Sequence, residues 1–238
     1  MPHFIWSLIK EYLHSFIHLF YPHICLHCGT EQLAKKEVLC INCILQLPYT
    51  DFFPMEHNAI EKIFWGRENI YAAGALLFFT KDSIVQLLIF ELKYKQNKKA
   101  GLLLGNLIGQ SIRTSNRFEL VDFLVPIPTS NKKQRSRGFN QAQVICEGIL
   151  QAWPNIKIIG NLKKRATGLS QTHKDRIQRG MTKGADFYLT APHELANKNI
   201  LIVDDIITTG ATIENACACL QQAGPKDIYL AAAAYTIS

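Results

Sequence analysis

The chain has 238 residues, 48% of them hydrophobic, and a net charge of +7, which leaves room for one medium domain plus a small appendage. No run of about 18 apolar residues is free of charge, so no transmembrane helix is expected. Residues 90–184 hold 18 Lys or Arg against 5 Asp or Glu, a net of +13, while the remainder holds 8 against 14, a net of −6. A basic middle between acidic ends points to polyanion partners (pyrophosphate, nucleic acid or both). The plainer alternative is a solvated charged surface.

Residues 1–21 place Phe4, Ile5, Leu8, Ile9, Tyr12, Phe16, Leu19 and Phe20 at helical spacing, interrupted by Lys10, Glu11, His14 and His18. This predicts an amphipathic helix. It has no basic leading region and no small-residue cleavage site, so it does not read as a signal peptide. Docking on the domain and lying on a membrane or a partner both remain open for it.

Residues 22–48 carry Cys25-Leu-His-Cys28-Gly29 and Cys40-Ile-Asn-Cys43. Each Cys-x-x-Cys turn can aim two thiolates at one point, and two such turns make a tetrahedral cage that suits zinc. Gly29 fits the left-handed position of such a knuckle. The head is too short to bury a core, so metal would supply its folding free energy, about 10–16 kcal/mol in small zinc peptides. Disulfides would need an oxidising compartment, and a rubredoxin-like iron site would want a Gly after the second pair. Cys146, Cys217 and Cys219 fall in predicted helices and read as core.

Residues 45–67 read as a connector with two prolines, and residues 70–80 as a strand. A helix follows Asp82 and ends in the basic stretch from Glu91 to Lys99; residues 102–112 form a second helix. Residues 121–128 are a strand ended by proline. Residues 131–141 are expected to be a basic loop, with a helix from Ala142 to about Trp153. In that loop Arg135 and Arg137 are forked donors matched to phosphate oxygens, and Gly138 lets the main chain bend close to a ligand. An exposed basic hairpin is the alternative. Residues 161–183 are polar and basic with a short helix after Thr172; residues 187–189 and 227–235 are strands. Alternating strands and helices imply a mostly parallel sheet with right-handed crossovers.

Residues 199–212 are the most informative stretch. Ile200, Leu201, Ile202 and Val203 read as a strand buried on both faces. Asp204 and Asp205 follow, and then Thr208, Thr209, Gly210, Ala211 and Thr212 open a helix. The free N–H groups of that turn and the helix dipole can cradle a phosphate dianion. Two carboxylates would repel the anion, so they should face sugar hydroxyls, and the predicted ligand is a ribose 5-phosphate. A plain strand with two helix-capping aspartates is the alternative. A nucleotide triphosphatase is disfavoured, because no Gly-x-x-x-x-Gly-Lys-Ser/Thr lies upstream. This assignment fails if the turn is buried, or if both carboxyls sit in internal ion pairs with no open cleft before them.

The stretch resembles the phosphoribosyl pyrophosphate signature of type I phosphoribosyltransferases. The two Cys pairs, Leu92-Lys93-Tyr94, Pro126-Ile127-Pro128, Arg137-Gly138-Phe139-Asn140-Gln141, Gln171 in a basic segment, and the 203–212 signature occur in one order. Together they resemble the ComF family, also called ComFC or GntX-like, over nearly the whole chain. The resemblance implies an α/β fold: a parallel-sheet type I phosphoribosyltransferase-like domain at 49–238, a small zinc-ribbon-like, four-cysteine zinc finger at 22–48, and the helix at 1–21.

Asp204 and Asp205 would hold ribose hydroxyls and residues 208–212 the 5-phosphate. Residues 135–138 would lie by the pyrophosphate with Mg²⁺, and residues 165–179 would be a flap. The flap departs from the family pattern at Gly168, Leu169 and the stretch Gly180, Met181 and Thr182. The implied function is a competence-associated, cytoplasmic protein, at the inner face of the membrane in one version. It would bind phosphoribosyl pyrophosphate and single-stranded DNA during natural transformation, with competence or recombination proteins as partners. Tyr94, Phe118 and Phe139 could stack on nucleotides, with core packing as the plainer reading of each taken alone. The alternative is an active transferase with an unknown acceptor and no direct DNA role. No catalytic residue can be named from the sequence.

Overall fold

A computed structural model describes residue 6, residues 23–34, residues 37–165 and residues 186–237. The expected N-terminal helix apart from Trp6, and all of the expected flap except Arg165, lie outside the described residues. The chain divides into two compact units, Met1–Leu47 and Pro48–Ser238.

In the first unit, helix α1 (Ile41–Leu45) starts directly after Cys40. Gly29 takes φ +73° and donates its N–H to the Cys25 carbonyl at 3.0 Å. That left-handed turn lets Cys28 face Cys25.

The second unit is built on a five-stranded, wholly parallel sheet in the order β1, β7, β6, β2, β3. The strands are β1 (Ala72–Phe79), β2 (Phe123–Pro126), β3 (Lys157–Ile158), β6 (Asn199–Ile207) and β7 (Asp227–Thr236). A separate antiparallel pair joins β4 (Leu162–Lys164) to β5 (Phe187–Leu189). The helices are α2 (Ala59–Phe64), α3 (Ile84–Tyr94), α4 (Lys98–Arg113), α5 (Asn131–Arg137), α6 (Gln141–Ala152) and α7 (Ala211–Gln221). The central strands are buried on both sides because helices cover both faces. Ala73, Ala75, Val125, Ile200, Ile202, Ile228 and Leu230 point into one core with Ile213, Ala216 and Leu220 of α7. Helices α4 and α6 pack on the other side and on each other.

The α4–α6 contact is a glycine seam. A Cβ at Gly105 would lie 2.0 Å from the Ile145 carbonyl oxygen, and one at Gly148 would lie 2.4 Å from that of Leu102. Only missing side chains allow this backbone approach.

Several expectations change in the structure. The 131–141 loop is in its first half the short helix α5. Ser130 caps it by accepting the Lys133 N–H, and Gly138 at φ 78° ends it. The 45–67 connector contains α2, held by a buried Asn58. That side chain accepts from the N–H groups of Ile60 and Glu61 and donates to the carbonyls of Phe52, Met55 and Ala73. Phe118, a stacking candidate, is fully buried against Phe53 and Tyr229. Cys146, Cys217 and Cys219 are buried as expected.

Candidate functional site

The chain leaves β2 through α5 and α6 to reach β3 on one side, then returns to β6 on the other side of β2. The helices after β2 and after β6 therefore diverge onto opposite faces. A crevice opens at the carboxyl ends of these two adjacent strands, the topological switch point where open α/β sheets take ligands. The register pairs Pro126 with Val203, so the acid pair stands one residue beyond the last β2 pairing. The two segments nominated from sequence, 131–141 and 204–212, flank this crevice.

Strand β6 runs on through the acids to Ile207. Thr208, Thr209, Ala211 and Thr212 are exposed, whereas Gly210 is buried. Gly210 takes φ 81° as the N-cap of α7 and has no side chain to cap the helix with. A Cβ there would also meet Ile63 Cγ2 and Phe64 Cε1 at 2.9 Å. The first N–H groups of α7 thus face outward past a residue that only glycine can be. A cavity of about 30 Å³ is lined by Asp204 and residues 206–213.

The two aspartates differ. Asp205 Oδ2 lies 2.9 Å from Lys93 Nζ, and both side chains are largely buried. Asp204 makes no ion pair among the described residues; its Oδ1 accepts the Asp205 N–H at 2.8 Å. Burial first, and the Asp205 charge second, push the Asp204 carboxyl up to about 7, against the pull of that N–H and of Lys93 and Lys164. One of the two conditions that would sink the sugar assignment is therefore met for one carboxyl only, and the turn is not buried.

Lys93 was visible in sequence only as part of a family marker. It is the last-turn lysine of α3, and the residues after it form a third wall. Tyr94 lies under the Arg137 guanidinium at 5.7 Å, Gln96 Oε1 lies 3.4 Å from where a Cβ on Gly138 would be, and Lys98 stands 5.3 Å from the Phe139 ring. Arg137 also donates to Gln141 Oε1 at 2.9 Å, and Asn140 Nδ2 ties the turn to the Ile127 carbonyl at 3.0 Å. Arg135 is exposed instead, lining a cavity of about 460 Å³ with Asn131, Gln134 and Gly138. The two arginines thus split: Arg137 braces the turn, and Arg135 is exposed at the cavity.

In the head, the four sulfurs of Cys25, Cys28, Cys40 and Cys43 all lie within 4.8 Å of one another. Cys28 and Cys40 sulfurs are 3.6 Å apart, close to the roughly 3.8 Å edge of a tetrahedron with 2.3 Å metal–sulfur bonds. Burial pushes Cys43 up to about 12, with the neighbouring thiols adding to it. Burial also acts on Cys25, but the backbone N–H groups of Cys28, Cys40 and His27 outweigh it and bring Cys25 down to about 6. Four thiols gathered this closely can hold one metal ion.

Residues 157–238 match the phosphoribosyl transferase domain. The chain is 26% identical over 211 residues to Competence protein F of Haemophilus influenzae, covering 86% of this chain and 81% of that protein. It is 27% identical over 151 residues to DNA utilization protein YhgH of Salmonella typhimurium, covering 60% of this chain and 64% of that protein. It is 36% identical over 104 residues to Competence protein ComFC of Streptococcus pneumoniae, 44% of either chain. The chain thus spans less than two thirds of the latter two. No helix among the described residues is long and apolar enough to cross a membrane. The transferase-domain match at residues 157–238 and the run of competence and DNA-utilization relatives together support a ComF-family, phosphoribosyltransferase-like protein.

Proposed function

We propose that the chain is a competence-associated protein that binds phosphoribosyl pyrophosphate in the crevice between β2 and β6, and binds single-stranded DNA. The observation that carries this reading is the exposed Thr-Thr-Gly-Ala-Thr turn next to a half-buried acid pair at a topological switch point. Thr208, Thr209, Gly210, Ala211 and Thr212 receive the 5-phosphate. The cavity there is small, about 30 Å³, so the phosphate sits at its exposed mouth. Asp204 and Asp205 accept the ribose hydroxyls, and the sugar competes with Lys93 for Asp205. Arg135, Arg137 and Gly138 border the pyrophosphate end, with Arg135 free to reach it. Mg²⁺ would neutralise the pyrophosphate charge and favour its departure. If transfer occurs, C1 of the ribose becomes oxocarbenium-like as pyrophosphate leaves, and positioning supplies most of the rate.

The four-cysteine cluster of the head fits zinc in a structural role, since four sulfurs at these distances close the shell. A basic middle of net +13 and relatives named for competence and DNA utilization support DNA binding, a cytoplasmic place, and competence or recombination proteins as partners. Calorimetry with phosphoribosyl pyrophosphate, with and without Mg²⁺ and with and without a short oligonucleotide, tests both sites. Saturable binding abolished by replacing Asp204 and Asp205 with Asn is expected. Unchanged affinity in that double variant rejects the sugar site. DNA binding that does not weaken with salt rejects the DNA reading.

A further inference from the structure

Helix α3 turns two large aromatics outward. Phe90 is 45% and Tyr94 64% exposed, and their ring centroids lie 5.2 Å apart at 42°. Their i, i+4 spacing explains why they touch. It does not explain why neither is buried by the described residues, when Val85, Leu88, Ile89 and Leu92 of the same helix are. The surroundings are cationic. The Arg137 guanidinium lies over Tyr94, Lys98 over Phe139, and Lys95 and Lys99 are exposed in the same stretch. Glu91 is the one acid of residues 90–99, and its carboxylate already accepts from Asn97 Nδ2 at 3.1 Å.

We infer that Phe90 and Tyr94 are a stacking platform for the bases of single-stranded DNA, with Lys95, Lys98 and Arg137 along the phosphate path. The inference rests on the DNA-binding reading above and says where on the chain it happens. Every base has a π-face, so two exposed rings bind a strand without reading its sequence, and nearby cations hold the backbone. A duplex keeps its bases stacked on each other, so the platform discriminates against it. The patch favours nucleic acid over a protein partner because its rim is cationic and its centre aromatic, which matches a chain of phosphates carrying rings. Tyr94 follows Lys93, so a strand on this platform lies beside the sugar crevice.

The test uses the full chain and fluorescence anisotropy at low salt. The probes are a short oligo-dT, an abasic oligomer with the same phosphates, and a duplex of equal length. Tyr94→Ala and Phe90→Ala should each weaken oligo-dT binding by roughly 5- to 150-fold, the worth of one stacked base. Binding of the abasic oligomer should stay within about twofold, and Tyr94→Phe should keep most of the affinity. Phe90→Ala should bind phosphoribosyl pyrophosphate as the parent does. If the parent binds oligo-dT but both Ala variants match it, the platform is wrong and the DNA reading stands. If the parent binds no better to oligo-dT than to the abasic oligomer, stacking is absent and the platform again fails. If the parent binds no oligomer at all, both readings fail together. A patch that serves a protein partner would show the first of these patterns.

Discussion

Asp204→Asn should make the protein more stable and less able to bind a phosphorylated ribose. Burial and the adjacent Asp205 charge raise the Asp204 pKa from 3.8 to about 7. The folded-state value lies above the unfolded one, so the unfolded chain releases this proton first. Stability therefore falls as pH climbs from about 4 to about 7, then levels off. The distance from 3.8 to about 7 bounds that loss at roughly 4 kcal/mol. Asn keeps an oxygen to accept the Asp205 N–H, a 2.8 Å bond, and cannot ionise. Urea or thermal unfolding near pH 8 should show the variant roughly 1–4 kcal/mol more stable, the gain vanishing near pH 4.

The ligand should respond in the opposite sense. Hydroxyls donate to the ionised carboxyl, whose population rises roughly tenfold between about pH 6 and pH 8 for a pKa near 7. Ribose 5-phosphate affinity in the parent should rise by up to that factor over the window. In Asp204→Asn the affinity should be low, with only the slope contributed by the ligand's own phosphate, whose second pKa is about 6. An Asn variant less stable near pH 8, or one whose gain is equal at both pH values, refutes the picture of a carboxyl held under strain for a ligand.

Lys93→Met removes a charge that pulls Asp204 down, so the midpoint of the pH–affinity curve should move above about 7, read by the same titration. Gly105→Ala would put a methyl 2.0 Å from the Ile145 carbonyl and should lower stability by roughly 3 kcal/mol or more, overpacking a backbone contact that cannot move aside; chemical denaturation measures it. Gly210→Ala combines a φ of 81° with the 2.9 Å approach to Ile63 and Phe64. It should lose roughly 1–3 kcal/mol and most of its phosphosugar affinity, by thermal scan and calorimetry. Stripping metal with a strong chelator should expose residues 23–47 to proteolysis, and zinc should restore protection, since the head has little core of its own.

The alternation of strands and helices was legible because the central strands are buried on both faces, and buried strands are written as runs such as Ile200-Leu201-Ile202-Val203. Helix α5 was not legible by periodicity: Asn131-Lys-Lys-Gln-Arg-Ser-Arg137 has no buried residue and hence no apolar stripe to read. Its punctuation was there all the same, with Ser130 at the N-cap and Gly138 just past the end. The glycine seam was likewise written at i, i+4 and i+8 in Gly101, Gly105 and Gly109, a spacing that marks close helix packing only once a partner glycine is known. Phe118 shows the plainer reading, core packing, holding. A phenylalanine between charged neighbours looks available for stacking, yet the turn that follows α4 drives it into the core beside Phe53 and Tyr229.

Lys93 is the residue that local reading had no means to find, and it decides how the acid pair works. Two adjacent carboxylates at a strand end cannot both be held ionised and half-buried without a counter-charge. The fold brings one in from α3, and it engages Asp205 alone at 2.9 Å. Asp204 is left as the member whose charge changes near neutrality. Environments that separate two neighbouring acids give them separate roles. Here Asp205 is tied by Lys93 to the wall that carries Tyr94 and meets Arg137, and on the proposed reading Asp204 is the acceptor for a sugar diol. A ligand that draws Asp205 off Lys93 must therefore act on the segment that follows it, because Lys93, Tyr94 and Gln96 belong to one short stretch of chain. On the proposed reading, the acid pair, rather than the phosphate turn, is where sugar binding and the basic aromatic surface of α3 would meet.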